Sequence, residues 1–190
     1  VEPAALKHFV LLAAALSGLV PASACSRAAP TAAHDCKGPG MTMKLDERLI
    51  LKAVTNGQAG RDIVAAVFAG DAAKVRALAQ RDPALLTTHV PPARYPDFRP
   101  DGQWGDLLSI AVARCDATML DALLAAGAAP DGAVPGLPLD TAVGTHDLTA
   151  MRTLLAAGAR PDPSGPNAPW PLRTAARVAD PAAAKLLIAA

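Results

Sequence analysis

Tyr95, Phe98 and Trp104 fall within ten positions of one another, beside Arg94, Arg99 and Gln103, in a chain with only five aromatics beyond residue 24. Aromatics and arginine dominate binding energetics because they bury large area with few torsions to freeze. The chemistry they point to is non-covalent capture of a partner. They sit in or beside PALLTTHVPPARYPDFRPDGQ, residues 83–103. That stretch exceeds the roughly 12 to 15 residues at which an irregular loop tends to be functional or disordered. A competing reading has the same rings folding back to seal a gap in the fold. The remaining reactive residues form no familiar constellation. His34-Asp35-Cys36 has the residue types of a metal or nucleophile cluster, but lies in Ala/Pro/Gly-rich sequence with nothing rigid to orient it. The four histidines, His8, His34, His89 and His146, are scattered, and His146 is expected to be an exposed loop residue. There is no G-x-S-x-G elbow, P-loop, H-E-x-x-H or G-x-G-x-x-G. The three cysteines, Cys25, Cys36 and Cys115, lack the paired spacing of a zinc site. The expectation is a binding protein without catalysis, cofactor or metal; the competing class is an enzyme whose site lies in the 83–103 stretch.

The elements that position these residues must be short helices. The chain is 52% hydrophobic but 3% aromatic, with alanine and leucine supplying most of the apolar count, the composition of thin, close-packed helices. Eighteen prolines and fourteen glycines interrupt them often. With 18 Lys+Arg against 17 Asp+Glu the net charge is +1, so no overall field draws nucleic acid to the protein. The 190 residues make room for about one domain.

Phe9 to Val20 is an apolar run preceded by Lys7 and followed by Ala22-Ser23-Ala24. It is shorter than the roughly 20 residues of a membrane-spanning helix and fits a secretory signal over 1–24. Two cleavage readings compete: a general signal-peptidase site after Ala24, and a lipobox that would place lipid on Cys25 and attach the protein to a membrane. In the second, 25–41 is a flexible tether; in the first, Cys25 is free to pair with Cys36 in an oxidising compartment. Thr42 to Val54 then reads as a leading helix with Thr42 as N-cap, and 42–61 as leading helix plus connection.

Internal repetition organises the rest. MLDALLAAGAAPD at 119–131 recurs as AMRTLLAAGARPD at 150–162, so Gly127 maps onto Gly158 at an offset of 158 − 127 = 31. Upstream, LSIAV at 108–112 maps onto LDTAV at 139–143, and a further 33 positions bring Leu139 to Leu172 and Ala142 to Ala175. An earlier copy spans Asp62 to Asp82, with Gly70-Asp71 standing where Cys115-Asp116 stands later; the longer offset of 45 places an insertion at 83–103. Pro138 and Pro171 mark helix starts, because proline's missing N–H is unpartnered there anyway. Ala111, Ala142 and Ala175 let helices approach closely, the doublets Leu123-Leu124, Leu154-Leu155 and Leu187-Ile188 place bulk between repeats, and Gly127 and Gly158 suit a left-handed helix end. Single hairpins cannot bury their apolar faces; three or more stacked ones can.

These segments resemble the ankyrin repeat. Leu137-Pro138-Leu139-Asp140-Thr141-Ala142-Val143 and Trp170-Pro171-Leu172-Arg173-Thr174-Ala175-Ala176 are similar to its T-P-L-H-x-A-A segment, and Leu-Leu-Ala-Ala-Gly-Ala closes the second helix twice. The Thr and His of T-P-L-H are missing, which implies looser turns. The resemblance covers about 62–190 and implies an all-α, ankyrin-type solenoid of about four helix-turn-helix repeats. It further implies partner contacts on the concave face: Phe68; Gln103, Ala113 and Arg114; Val134 and Thr145; Asn167, Arg177 and Val178. Together with the 83–103 insertion, Phe68, Arg114 and Trp170 are expected to form one patch. The role implied is a protein-binding module of the bacterial envelope, periplasmic or lipid-anchored, or an immunity protein that neutralises a toxin or enzyme. The exposed-looking Leu186-Leu187-Ile188 predicts a last helix that frays or is covered by something else.

Overall fold

The structure, a computed structural model, describes Cys36 and residues 47–90, 105–133, 136–163 and 170–190, all within the compact unit 34–190. The signal segment, Cys25, Thr42, the stretch from Arg94 through Tyr95, Phe98, Arg99 and Gln103 to Trp104, and Val134 and Asn167 lie outside the described residues.

Within the described residues the protein is all-α: nine α-helices and one 3-10 turn, with no strand. A leading helix α1 (Glu47–Ala53) precedes four hairpins. These are α2 (Gly57–Phe68) with α3 (Ala72–Arg81), α4 (Leu107–Ala113) with α5 (Ala117–Ala125), α6 (Leu137–Gly144) with α7 (Leu148–Ala156), and α8 (Pro171–Arg177) with α9 (Pro181–Ala189). The hairpins stack in sequence order. First helices pack α2 on α4, α4 on α6 and α6 on α8; second helices pack α3 on α5, α5 on α7 and α7 on α9. Helix α2 begins at Gly57, so the first repeat starts earlier than Asp62.

One device makes all four hairpin turns. The residue before each N-cap aspartate is left-handed: Gly70 at φ 70°, Cys115 at 56°, His146 at 56° and Ala179 at 53°. This lets the next backbone N–H, on Asp71, Asp116, Asp147 and Asp180, reach back to the carbonyls of Ala66, Ala111, Ala142 and Ala175 at 2.9–3.0 Å. The aspartate side chains then cap the second helices, accepting from Lys74, Met119, Ala150 and Ala183 N–H at 2.8–2.9 Å. Those alanines are 2% exposed or less, so the residue that tolerates close helix contact also anchors the turn. Three of the four left-handed positions carry a side chain, which costs about 1 kcal/mol relative to glycine. Of these, Ala179 has no side chain able to bond. Ala179→Gly is therefore expected to raise stability by about 1 kcal/mol in urea unfolding; a decrease would show that the turn is not strained there.

Second helices end as expected, with Gly127 and Gly158 both at φ 99°. The leucine doublets divide: Leu123, Leu154 and Leu187 are buried, while Leu124 and Leu155 are half-buried and Ile188 is 74% exposed. Only the first member of each doublet fills the space between repeats, because a helix turns the second about 100° away.

Hydrogen bonds also run between hairpins. Asp140 accepts from the Thr174 hydroxyl of the next hairpin at 2.6 Å, both side chains being buried. Between the inter-repeat loops, Arg160 donates through its backbone N–H and Nε to the two carboxylate oxygens of Asp131, each at 2.8 Å.

The first part of the 83–103 insertion is core. Pro83–Thr87 forms the 3-10 turn, and Leu85, Thr88 and Val90 are buried. Thr55 N–H donates to the His89 carbonyl at 2.9 Å, and Asn56 Nδ2 to Thr88 Oγ1 at 2.9 Å, closing the chain against the entry to α2.

Cys36 is disulfide-bonded to Cys115, 79 positions away. This differs from the Cys25–Cys36 pairing that was open to an unlipidated Cys25, and it removes the Cys36 thiol from any nucleophile or metal cluster with His34 and Asp35. It also pins a position that the sequence placed in a free tether.

Candidate interaction surface

Of the described residues expected in one patch, Phe68 and Arg114 lie together and Trp170 lies apart. Phe68 is only 9% exposed: it belongs to the core, and the guanidinium of exposed Arg114 covers its ring, 5.3 Å from the centroid. Such a lid buries the arginine stem while leaving the charge wet. Trp170 lies two first-helix positions further along the stack, with α6 intervening between α4 and α8. Its ring partner is Arg173, at 5.5 Å.

Thr145 and Ala113 are also withdrawn from the contact set, being 4% and 7% exposed. The Thr145 hydroxyl donates to the Thr141 and Ala142 carbonyls at 3.1 and 3.2 Å, satisfying the end of α6. All of α4 and Leu137–Val143 of α6 are buried, so the inner faces of the two central repeats are closed. Arg177 remains exposed and Val178 is half-buried.

His146 is not a free loop residue. Its Nδ1 lies 2.8 Å from Asp180 Oδ2, linking the turns of the third and fourth repeats across half-buried ground. Burial alone would raise the Asp180 carboxyl, but hydrogen bonds from the Ala183 N–H and the His146 ring, the ring's electrostatic attraction and the Ala182 N–H outweigh it and hold the group below the ordinary aspartate value. A depressed folded-state value contributes stability that is present above the unfolded value of about 3.9 and is lost as pH falls through the folded one. Acid unfolding followed by circular dichroism is expected to lose this contribution below about pH 4, and Asp180→Asn to flatten the profile there. An unchanged acid limb in that variant would rule the carboxylate out as a contributor.

What the sequence missed is a cleft at the far end of the stack. Trp170 (60% exposed), Leu172 (47%) and Ile188 (74%) are the exposed large hydrophobics among the described residues. With Pro161, Asp162, Arg173 and Leu187 they line a cleft of about 580 Å³ between α8, α9 and the preceding loop. The available signal was positional. Leu139, the counterpart of Leu172, is fully buried, whereas Leu172 in the same register is half exposed. The terminal apolar triplet pointed to the same end, but its neighbour across the cleft, Trp170, was assigned to another patch.

Among the described residues no group of three or more His, Cys, Asp or Glu side chains could hold a metal ion, and no helix is long and apolar enough to cross a membrane. No protein-family model, curated protein or solved structure matches the chain.

Proposed function

We propose that the four hairpins form an ankyrin-type solenoid that acts as a protein-binding module in the bacterial cell envelope. The solenoid reading is supported by the 31- and 33-residue offsets, the in-order packing of hairpins and the shared left-handed turn before each capping aspartate. Export is supported by the apolar run ending in Ala22-Ser23-Ala24-Cys25, and by the Cys36–Cys115 disulfide, since such bonds persist in oxidising compartments. Lipid on Cys25 would attach the module to a membrane.

The observation that carries the binding role is the cleft: an exposed tryptophan flanked by an arginine, a leucine and an isoleucine, where no other large apolar side chain among the described residues is exposed. Contiguous exposed apolar surface of this kind marks interaction sites, and Trp and Arg are the residues most enriched where binding energy concentrates. The Tyr95, Phe98 and Trp104 cluster with Arg94 and Arg99 supplies, on composition, a second contact set.

The test is capture from envelope extract with a photo-crosslinking residue at position 172, against a control at exposed Arg76. A stoichiometric protein adduct at 172 but not at 76 is the expected result. Failure to crosslink any protein at 172, with the solenoid folded, would overturn the binding role of this end of the molecule.

A further inference from the structure

We infer that the α8–α9 cleft is a self-complementary interface, at which a second copy of this chain docks cleft to cleft about a two-fold axis. The inference deepens the binding reading above, on which it rests, by naming the partner.

The first argument is charge. Asp162 and Arg173 both line the cleft and both are exposed. Among the described residues neither makes an ion pair or a side-chain hydrogen bond, and Arg173 has only the Trp170 ring for company. Asp131, which stands 31 positions before Asp162 in the same register, shows what such a carboxylate accepts in this fold: the Nε and backbone N–H of Arg160, each at 2.8 Å. A cleft with one unpaired carboxylate and one unpaired guanidinium asks for one of each from its occupant. A two-fold axis supplies both, because when Arg173 of one copy meets Asp162 of the other, the reciprocal contact comes with it. An occupant of uniform charge would leave one of the two facing a like charge.

The second argument is the apolar surface. Trp170, Leu172 and Ile188 are the exposed large hydrophobics among the described residues, and the leading helix α1 offers no counterpart: Ile50 is 5% exposed, and Leu51 and Val54 are half-buried. Head-to-tail docking would lay the cleft on a surface without a matching patch and propagate into an open filament. Cleft-to-cleft docking covers both patches at once and closes. Trp170 and Arg173 are also the residue types in which interface energy concentrates. With three large apolar side chains per copy the contact belongs to the small class of interfaces, and its dissociation constant is expected at about micromolar.

The test is sedimentation equilibrium of the full chain carrying Cys25→Ser, so that no disulfide joins copies through that residue, with circular dichroism as the control for folding. A monomer–dimer equilibrium is expected. Arg173→Asp and Asp162→Arg are each expected to weaken it about tenfold, because each sets two like-charged pairs against each other. The two together exchange the charges and are expected to restore the dimer to within about threefold of the parent. Ile188→Glu is expected to abolish it. A monomer at every concentration, a dimer indifferent to Ile188→Glu, or a double variant as weak as the single ones overturns the contact, and assemblies that keep growing with concentration overturn the closed two-fold arrangement. An adduct at position 172 that proves to be a second copy of this chain upholds it. If position 172 captures a different envelope protein while the chain sediments as a monomer, the binding module stands and the second copy falls.

Discussion

Removing the Cys36–Cys115 bond is expected to lower the stability of the protein by about 4.5 kcal/mol, the largest effect of any single change outside the core. In the chain-entropy account a cross-link stabilises by shrinking the unfolded ensemble, and the gain rises with the logarithm of the closed loop: about 3 kcal/mol for 15 residues and about 4.7 for 100. A separation of 79 sits near the upper value. The loop encloses α1, the whole first hairpin and α4, so the unfolded chain is restrained over nearly half its length. Urea unfolding of the Cys36→Ser variant, or of wild type in dithiothreitol, should show the drop together with a steeper denaturant dependence, because the released chain exposes more surface. The single variant Cys25→Ser should match wild type, since Cys25 is not the partner of Cys36. A loss under about 1 kcal/mol on reduction would mean that the bond only holds a segment that orders independently of the repeats.

That bond also marks where sequence reasoning stops. Spacing of thirty-odd residues exposed the hairpins because each repeats the same local solution: an alanine at the close contact, a left-handed residue, a capping aspartate. Those are local constraints, and Ala111, Ala142 and Ala175 and the aspartates Asp71 and Asp116 carry them in their residue types, as Gly127, Gly158, Pro138 and Pro171 carry the helix ends and starts. Disulfide partners are set by where the fold brings two sulfurs, and nothing in the types or spacing of Cys25, Cys36 and Cys115 encodes it. The contact set was misjudged for a related reason. Phe68, Ala113 and Thr145 occupy positions that the ankyrin resemblance implies are exposed, yet all three are buried, and burial depends on what lies opposite rather than on register. His146 was read alone; its partner Asp180 is 34 positions away. Trp170 was recognised as a contact residue, but its company is Leu172, Arg173 and Ile188 in place of Phe68 and Arg114.

Leu154→Ala is expected to cost about 3 to 5 kcal/mol and to do so unevenly along the chain. Leu154 is fully buried on α7, which packs against α6 within its hairpin and against α5 and α9 on either side. Truncating it removes the transfer energy of the lost methyl groups and leaves a cavity that three rigidly placed helices cannot fill. Leu155 next to it is half-buried, so Leu155→Ala should cost no more than about 1.5 kcal/mol. The direction of the damage follows from the connectivity. In a stack, each hairpin is held by its neighbours alone, so a defect in the third weakens the coupling of the fourth to everything before it. Among the described residues the fourth hairpin is held by Thr174 to Asp140, His146 to Asp180, and its packing on α6 and α7. Hydrogen exchange should therefore show α8 and α9 losing protection first in Leu154→Ala, while α2 to α5, tied by the disulfide and closed by the Thr55–His89 pairing, stay protected. Loss of the α8–α9 surface would carry the cleft with it, so the same variant should lose the crosslink from position 172 at temperatures where its first two hairpins remain folded. Uniform loss of protection across all four hairpins would contradict a nearest-neighbour stack and point to a single cooperative core.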